Sequence, residues 1–179
     1  RNRMNSAYNI ETNGDFYDRQ QYDYDWRNND YSHRLNAYYL GSIGKLGIDF
    51  NADYYSSAST QLQWIGESSQ EHEDRVVTSS NLSDSRLYAA KLVLSHPLGK
   101  GELRGGAEYS HTRRNNLYRN EQNYLPETDN RIEEERTAAF AEYAIALGKV
   151  QTNVGLRYEH VTSDYYDRGV RQAGQSRNY

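Results

Sequence analysis

The chain has 179 residues, enough for one domain with a sizeable core. Its net charge of −4 argues against a general nucleic-acid binder, which needs a basic face, and the absence of cysteine excludes disulfides and a thiol nucleophile. Mean hydropathy is −1.07, a value typical of disordered chains, yet 18 tyrosines mark a structured one, because disordered segments are poor in aromatics.

The chain opens on Arg1-Asn2-Arg3, without the basic stub and apolar run of a signal peptide. No run of about 18 apolar residues offers a membrane-spanning helix. A membrane remains open to it all the same, since a transmembrane β-strand needs only about 9–11 residues.

The first predicted element is a strand in MNSAYNIET, with Met4, Ser6, Tyr8 and Ile10 on one face. A polar linker, 13–31, leads to the first of three hairpins built on one plan: strand, tight Gly-Lys turn, and a returning strand that ends in Tyr. Their lysines are Lys45, Lys100 and Lys149, and this recurrence signals repeated supersecondary units. In the first hairpin one face gathers Leu35, Ala37, Tyr39, Gly41 and Ile43 with Leu46, Ile48, Phe50, Ala52 and Tyr54. In the second it gathers Tyr88, Ala90, Leu92 and Leu94 with Leu103, Gly105, Ala107 and Tyr109, and Pro97 is expected to lengthen the turn. In the third it gathers Ala139, Ala141, Tyr143, Ile145 and Leu147 with Val150, Thr152, Val154, Leu156 and Tyr158. None of these faces carries a charge. The opposite faces carry Asp49, Asp53, Lys91, Glu102, Arg104, Glu108, Glu142, Arg157 and Glu159. A one-residue register slip would scramble this sorting.

The connections opposite the Gly-Lys turns read as long polar loops, 13–31, 56–85 and 112–135. Short turns on one rim and long loops on the other suit an outer-membrane barrel. The expected fold is therefore all-β: an antiparallel up-and-down meander of about seven strands, a segment of a transmembrane barrel spanning 1–179. Both ends read as cut, with a polar loop, SDYYDRGVRQAGQSRNY, at the C-terminus. The uncharged face then meets lipid, because Lys or Arg at the bilayer midplane costs about 2–4 kcal/mol. Tyr54, Tyr88, Tyr109 and Tyr158 are placed to form an interfacial girdle. The alternative is a secreted soluble β-sandwich that binds glycan or a surface partner, since one buried and one wet face produce the same alternation.

FYDRQQYDYDW, YYLGSIGKLGIDFNADYY and AAFAEYAIALGKVQTNVGLRYEH resemble the barrel of TonB-dependent outer-membrane receptors, within their "outer membrane protein beta-barrel" branch. The resemblance implies the bacterial outer membrane, lipid around the barrel and uptake of a nutrient: siderophore, cobalamin, glycan or peptide, possibly handed over by a surface lipoprotein. It also implies energy from the TonB complex through a plug domain, and no plug is visible here. It transfers no ligand-binding residue.

For the residues themselves, Trp26, Tyr55, Trp64, Tyr118 and Tyr124 are the candidate ligand-binding aromatics, because sugar faces stack on exposed rings. EHEDR (71–75) and YDYDW (22–26) lack the spacing of a calcium loop and read as solvated acidic segments. The five histidines are scattered, without zinc spacing. No nucleophile–base pair, paired carboxylates or phosphate loop stands out, so neither enzymatic activity nor a metal or cofactor is expected.

Overall fold

The structure, a computed structural model, describes every residue except Gly14 and the side chain of Thr12. Its elements are β1 (Asn2–Thr12), β2 (Asp15–Ile43), β3 (Leu46–Ser69), β4 (Arg75–Leu98), β5 (Gly101–Asn120), β6 (Thr128–Leu147), β7 (Val150–Asp167), β8 (Val170–Arg171) and β9 (Arg177–Asn178). They form one meander in the order β1 to β8, with β9 paired to β7. The fold is all-β and antiparallel, as the alternation requires, and β1 and β8 stand at opposite ends of the strand order.

The three Gly-Lys turns are alike. Gly44, Gly99 and Gly148 have φ of +60°, +62° and +64°, while their lysines keep negative φ. That is the signature of a type II′ turn, whose twist matches the flanking strands and whose first central residue is Gly. Pro97 does not lengthen the second turn: β4 runs through it to Leu98 and β5 starts at Gly101. At this penultimate strand position the missing N–H costs little, because the ladder is about to end. Gly148→Ala is expected to destabilise the folded chain by about 1–2 kcal/mol, the left-handed penalty for an L-residue. A Cβ there meets nothing within 4 Å, so the cost is backbone strain alone. Lys149→Ala should be near neutral, and urea titration of both variants in lipid checks the contrast.

The three polar linkers are not loops. Apart from Asn13, at positive φ, and Gly14, which lies outside the described residues, 13–31 is the first part of β2. Segment 56–85 divides between β3 and β4, and 112–135 between β5 and β6. The true connections are 70–74 and 121–127. Polar side chains pair across these hairpins: Asn115 Nδ2 donates to Asp84 at 2.8 Å, Ser59 Oγ to Asp30 at 2.5 Å, and the Thr78 amide to Gln122 at 2.7 Å. The polar tail is also ordered. β8 folds back on β7 through Arg168-Gly169, both at positive φ, and β9 pairs Thr162↔Asn178 and Ser163↔Arg177.

The chain divides into two compact units. The first comprises 1–31, 58–84 and 115–130; the second comprises 32–57, 85–114 and 131–179 and holds all three Gly-Lys turns. Among the described residues only Ala138 and Val161 are buried hydrophobics. The uncharged face is bare instead: Leu35 is 67% exposed, Val154 67% and Leu156 84%. A β-sandwich would bury that face as its core, so the sandwich alternative does not hold.

Candidate functional site

In the second unit the two faces differ as the alternation requires. On the uncharged face Tyr54 and Tyr88 come together, with ring centroids 5.1 Å apart. Tyr109 turns its hydroxyl to Glu135, and Tyr158 is exposed. Further along β5 and β6 charge appears, with Arg113 3.7 Å and Arg131 3.3 Å from Glu133. The guanidinium of Arg131 lies 4.0 Å from the Tyr166 ring centroid. Tyr143 lies on the uncharged face, between Ala141 and Ile145, and the sequence reading gave it no separate role. Its hydroxyl donates to the Leu98 carbonyl at 2.8 Å and its ring lies over Gly101. A Cβ there would stand 2.3 Å from the Ala144 carbonyl oxygen and 2.7 Å from the ring, so glycine admits both.

The other face is a chain of ion pairs. Lys91 Nζ is 3.0 Å from Glu108, and Arg157 reaches the same carboxylate at 2.8 Å. Arg157 also pairs with Glu159 at 3.1 Å, and Glu159 with Arg136 at 2.7 Å. Arg104 bonds Glu102 and lies 3.8 Å from Glu142. Asn36 donates to Asn51 at 2.8 Å and to Asp53 at 2.7 Å. A cavity of about 300 Å³ lies among Asn51, Asp53, Lys91, Glu108 and Arg136. These charged side chains keep between 27% and 52% of their exposure where they meet at Glu108, so the face is wet.

The first unit carries a cluster that the sequence reading missed. Tyr8 meets Tyr22 edge-on at 5.9 Å, and Tyr22 stacks on Tyr24 at 6.0 Å. The Tyr22 hydroxyl, with one proton to donate, lies 2.9 Å from Gln20 Oε1 and 3.1 Å from Glu67 Oε1. Burial first, then the Glu67 carboxylate, raises the Tyr22 pKa above its usual 10.0. The available signal was the alternation Tyr22-x-Tyr24-x-Trp26, a strand pattern inside a segment read as a linker.

Asp18 anchors the connection that follows β3. Its side chain is enclosed, accepting from Ser69 Oγ at 2.9 Å and from the Gln70 amide at 3.0 Å. Burial pushes its pKa up, but the hydrogen bonds from Ser69, Gln20 and the amides of Gln70 and Glu71 outweigh it and hold the value below 3.8. With a depressed folded pKa, the stabilisation is present above 3.8 and is lost as pH falls through the lowered value. Hydrogen exchange at the Gln70 amide should therefore show protection at neutral pH that fades in acid. Asp18→Ala should lack it at every pH.

The candidate ligand-binding aromatics are dispersed. Trp26 lies in β2 opposite Asn2, Trp64 in β3 and Tyr118 in β5. Tyr55, also in β3, faces Arg34, whose guanidinium is 5.6 Å from the ring centroid. Only Tyr124 sits in a connection, its amide held by Asn120 Oδ1 at 2.9 Å. Of the two acidic segments, YDYDW is part of β2, with Asp25 held by Arg1 and Arg3, and EHEDR spans the 70–74 connection into β4.

An antiparallel meander with an exposed uncharged face and a wet charged face behind it is a sheet of the kind that crosses a membrane. Residues 41–179 match the outer membrane protein beta-barrel family; the chain belongs to that family and to the bacterial outer membrane. No curated protein matches it. Among solved structures it is similar to the outer membrane protease OmpT from Escherichia coli, at 12% identity and a TM-score of 0.33, covering 94% of this chain and 63% of that one. The chain thus spans less than two thirds of that protein's length, and a likeness at this score carries no argument about chemistry.

Proposed function

We propose that the chain is part of the wall and surface hairpins of a TonB-dependent receptor that takes up a scarce nutrient. The observation that supports this reading best is the ion-paired face running from Lys91 through Glu108 and Arg157 to Arg136, the wall of a water-filled lumen. The polar hairpins of the first unit, rich in Tyr, Asn and Ser, would meet the nutrient at the cell surface. In this reading the partners are outer-membrane lipid, the nutrient, a surface lipoprotein that delivers it, and the TonB complex acting through a plug domain. The reading gives the chain no catalytic role.

The test is genetic. Deleting the gene, or separately inactivating TonB, should abolish growth on the same limiting nutrient among siderophores, cobalamin, glycans and peptides. Growth that depends on the gene but not on TonB would sink the energy-coupled reading.

A further inference from the structure

Trp64 takes no part in the girdle, the ion-paired face or the tyrosine cluster. It is 40% exposed in β3, and its six-membered ring covers the backbone at Gly66. A Cβ at Gly66 would stand 2.5 Å from Cη2, 3.1 Å from Cζ3 and 3.2 Å from Cζ2 of that ring, so only glycine lets the indole rest there. Two cavities meet at this ring. One, of about 300 Å³, is lined by Trp64, Asp25, Gln63, Thr78, Ser80 and Glu121. The other, of about 520 Å³, is lined by Trp64, Asp25, Asp23, Asn5, Arg1 and Arg3. Both volumes fall within the about 300–1,000 Å³ usual for small-molecule sites.

Asp25 belongs to both cavities and is fixed in place. Arg1 Nε donates to its two oxygens at 3.1 and 2.9 Å, and Arg3 Nε donates at 3.3 Å. Arg3 is its register partner on β1. An anchored carboxylate therefore stands beside an accessible indole, with hydroxyls and an amide around them.

Those groups match one ligand chemistry. A pyranose presents an apolar C–H face, which is drawn to the negative face of an aromatic ring, and an edge of hydroxyls, which need fixed acceptors and donors. Nucleobases also stack on tryptophan, but a nucleotide's phosphates need a surplus of positive charge, and Arg1, Arg3 and Arg27 here are balanced by Asp23, Asp25 and Glu121. We infer that Trp64 and Asp25 form a sugar-binding subsite, with one pyranose ring of an oligosaccharide laid on the indole and its hydroxyl edge on the carboxylate. The sugar can come from a free oligosaccharide or from the headgroup of a membrane glycolipid. The inference does not rest on energy-coupled transport.

The test is calorimetry on the protein in a sugar-free detergent. The probes are maltohexaose, cellohexaose and mannohexaose, and, separately, vesicles carrying lipopolysaccharide. At least one probe should bind saturably, and Trp64→Ala should weaken it about tenfold or more, the loss of one central contact. Trp64→Tyr, which keeps a ring, should retain part of the affinity and guards against misreading a folding defect. Gly66→Ala and Asp25→Asn should each weaken binding. Binding of a hexaose assigns a soluble glycan; binding of the vesicles alone assigns a glycolipid headgroup. Absence of binding by every probe, or Trp64→Ala binding as tightly as wild type, would overturn the site. A failure of TonB dependence in the growth test would leave it standing.

Discussion

Val154→Arg is expected to cost about 2–4 kcal/mol of folding free energy in a bilayer, and Asn153→Arg close to nothing. The two residues are neighbours in β7, so they point to opposite sides of the strand. Val154 lies midway between the Gly148-Lys149 turn and Tyr158, on the uncharged face, and is 67% exposed. A guanidinium there faces hydrocarbon, with neither water nor a counter-charge. Asn153 lies on the opposite face, beside a cavity of about 520 Å³ that also touches Lys100 and Glu102. A guanidinium there stays hydrated. Urea titration of both variants refolded into lipid vesicles measures the difference. Equal effects would mean that lipid does not cover the uncharged face. The contrast also isolates the membrane from strand propensity, because the incoming residue and the strand are the same in both variants.

Much of this asymmetry was legible in the sequence, because a two-residue period and a glycine turn leave few registers. Once Gly148-Lys149 is fixed as the turn, every residue from Ala139 to Tyr158 is assigned a side, and Arg157 must share one with Glu159. The same logic put Lys91 and Glu108 on one face of the second hairpin, and the structure brings them to 3.0 Å. It failed where neither face is apolar. From Asn13 to Tyr31, Ser56 to Ser85 and Thr112 to Glu135, serine, asparagine and charged residues occupy both sides, and hydrophobic periodicity is weak outside Tyr22-x-Tyr24-x-Trp26. The backbone still pairs there, held by bonds such as Asn115 to Asp84 and Tyr22 to Glu67. Reading these segments as loops also misplaced the candidate aromatics, since Trp26, Tyr55, Trp64 and Tyr118 lie in strands. Trp64 was singled out for its type alone. What surrounds it is Gly66 two residues on, Asp25 on the next strand and Arg3 beyond that, a row visible only after the strands are paired.

Glu108→Lys should destabilise the folded chain by about 1–3 kcal/mol, in a way that salt relieves and a second charge change partly reverses. The carboxylate lies between Lys91 at 3.0 Å and Arg157 at 2.8 Å. Reversal removes two attractions, each worth about 0.2–1 kcal/mol for part-exposed pairs, and adds two repulsions of similar size. Both cations are exposed enough to shed some of that strain into water, at 52% and 39% of their side-chain area, which caps the effect. Arg157 keeps Glu159, but Lys91 has no second acid among the described ion pairs. Adding Lys91→Glu to the reversal restores one pair and should recover about half the loss. At about 1 M salt, where screening acts over about 3 Å, the single variant should approach wild type, while Val154→Arg should not. That pairing of outcomes separates the two faces by mechanism. Charge on the lipid side is penalised by the solvent it lacks, and charge on the lumen side only by its neighbours.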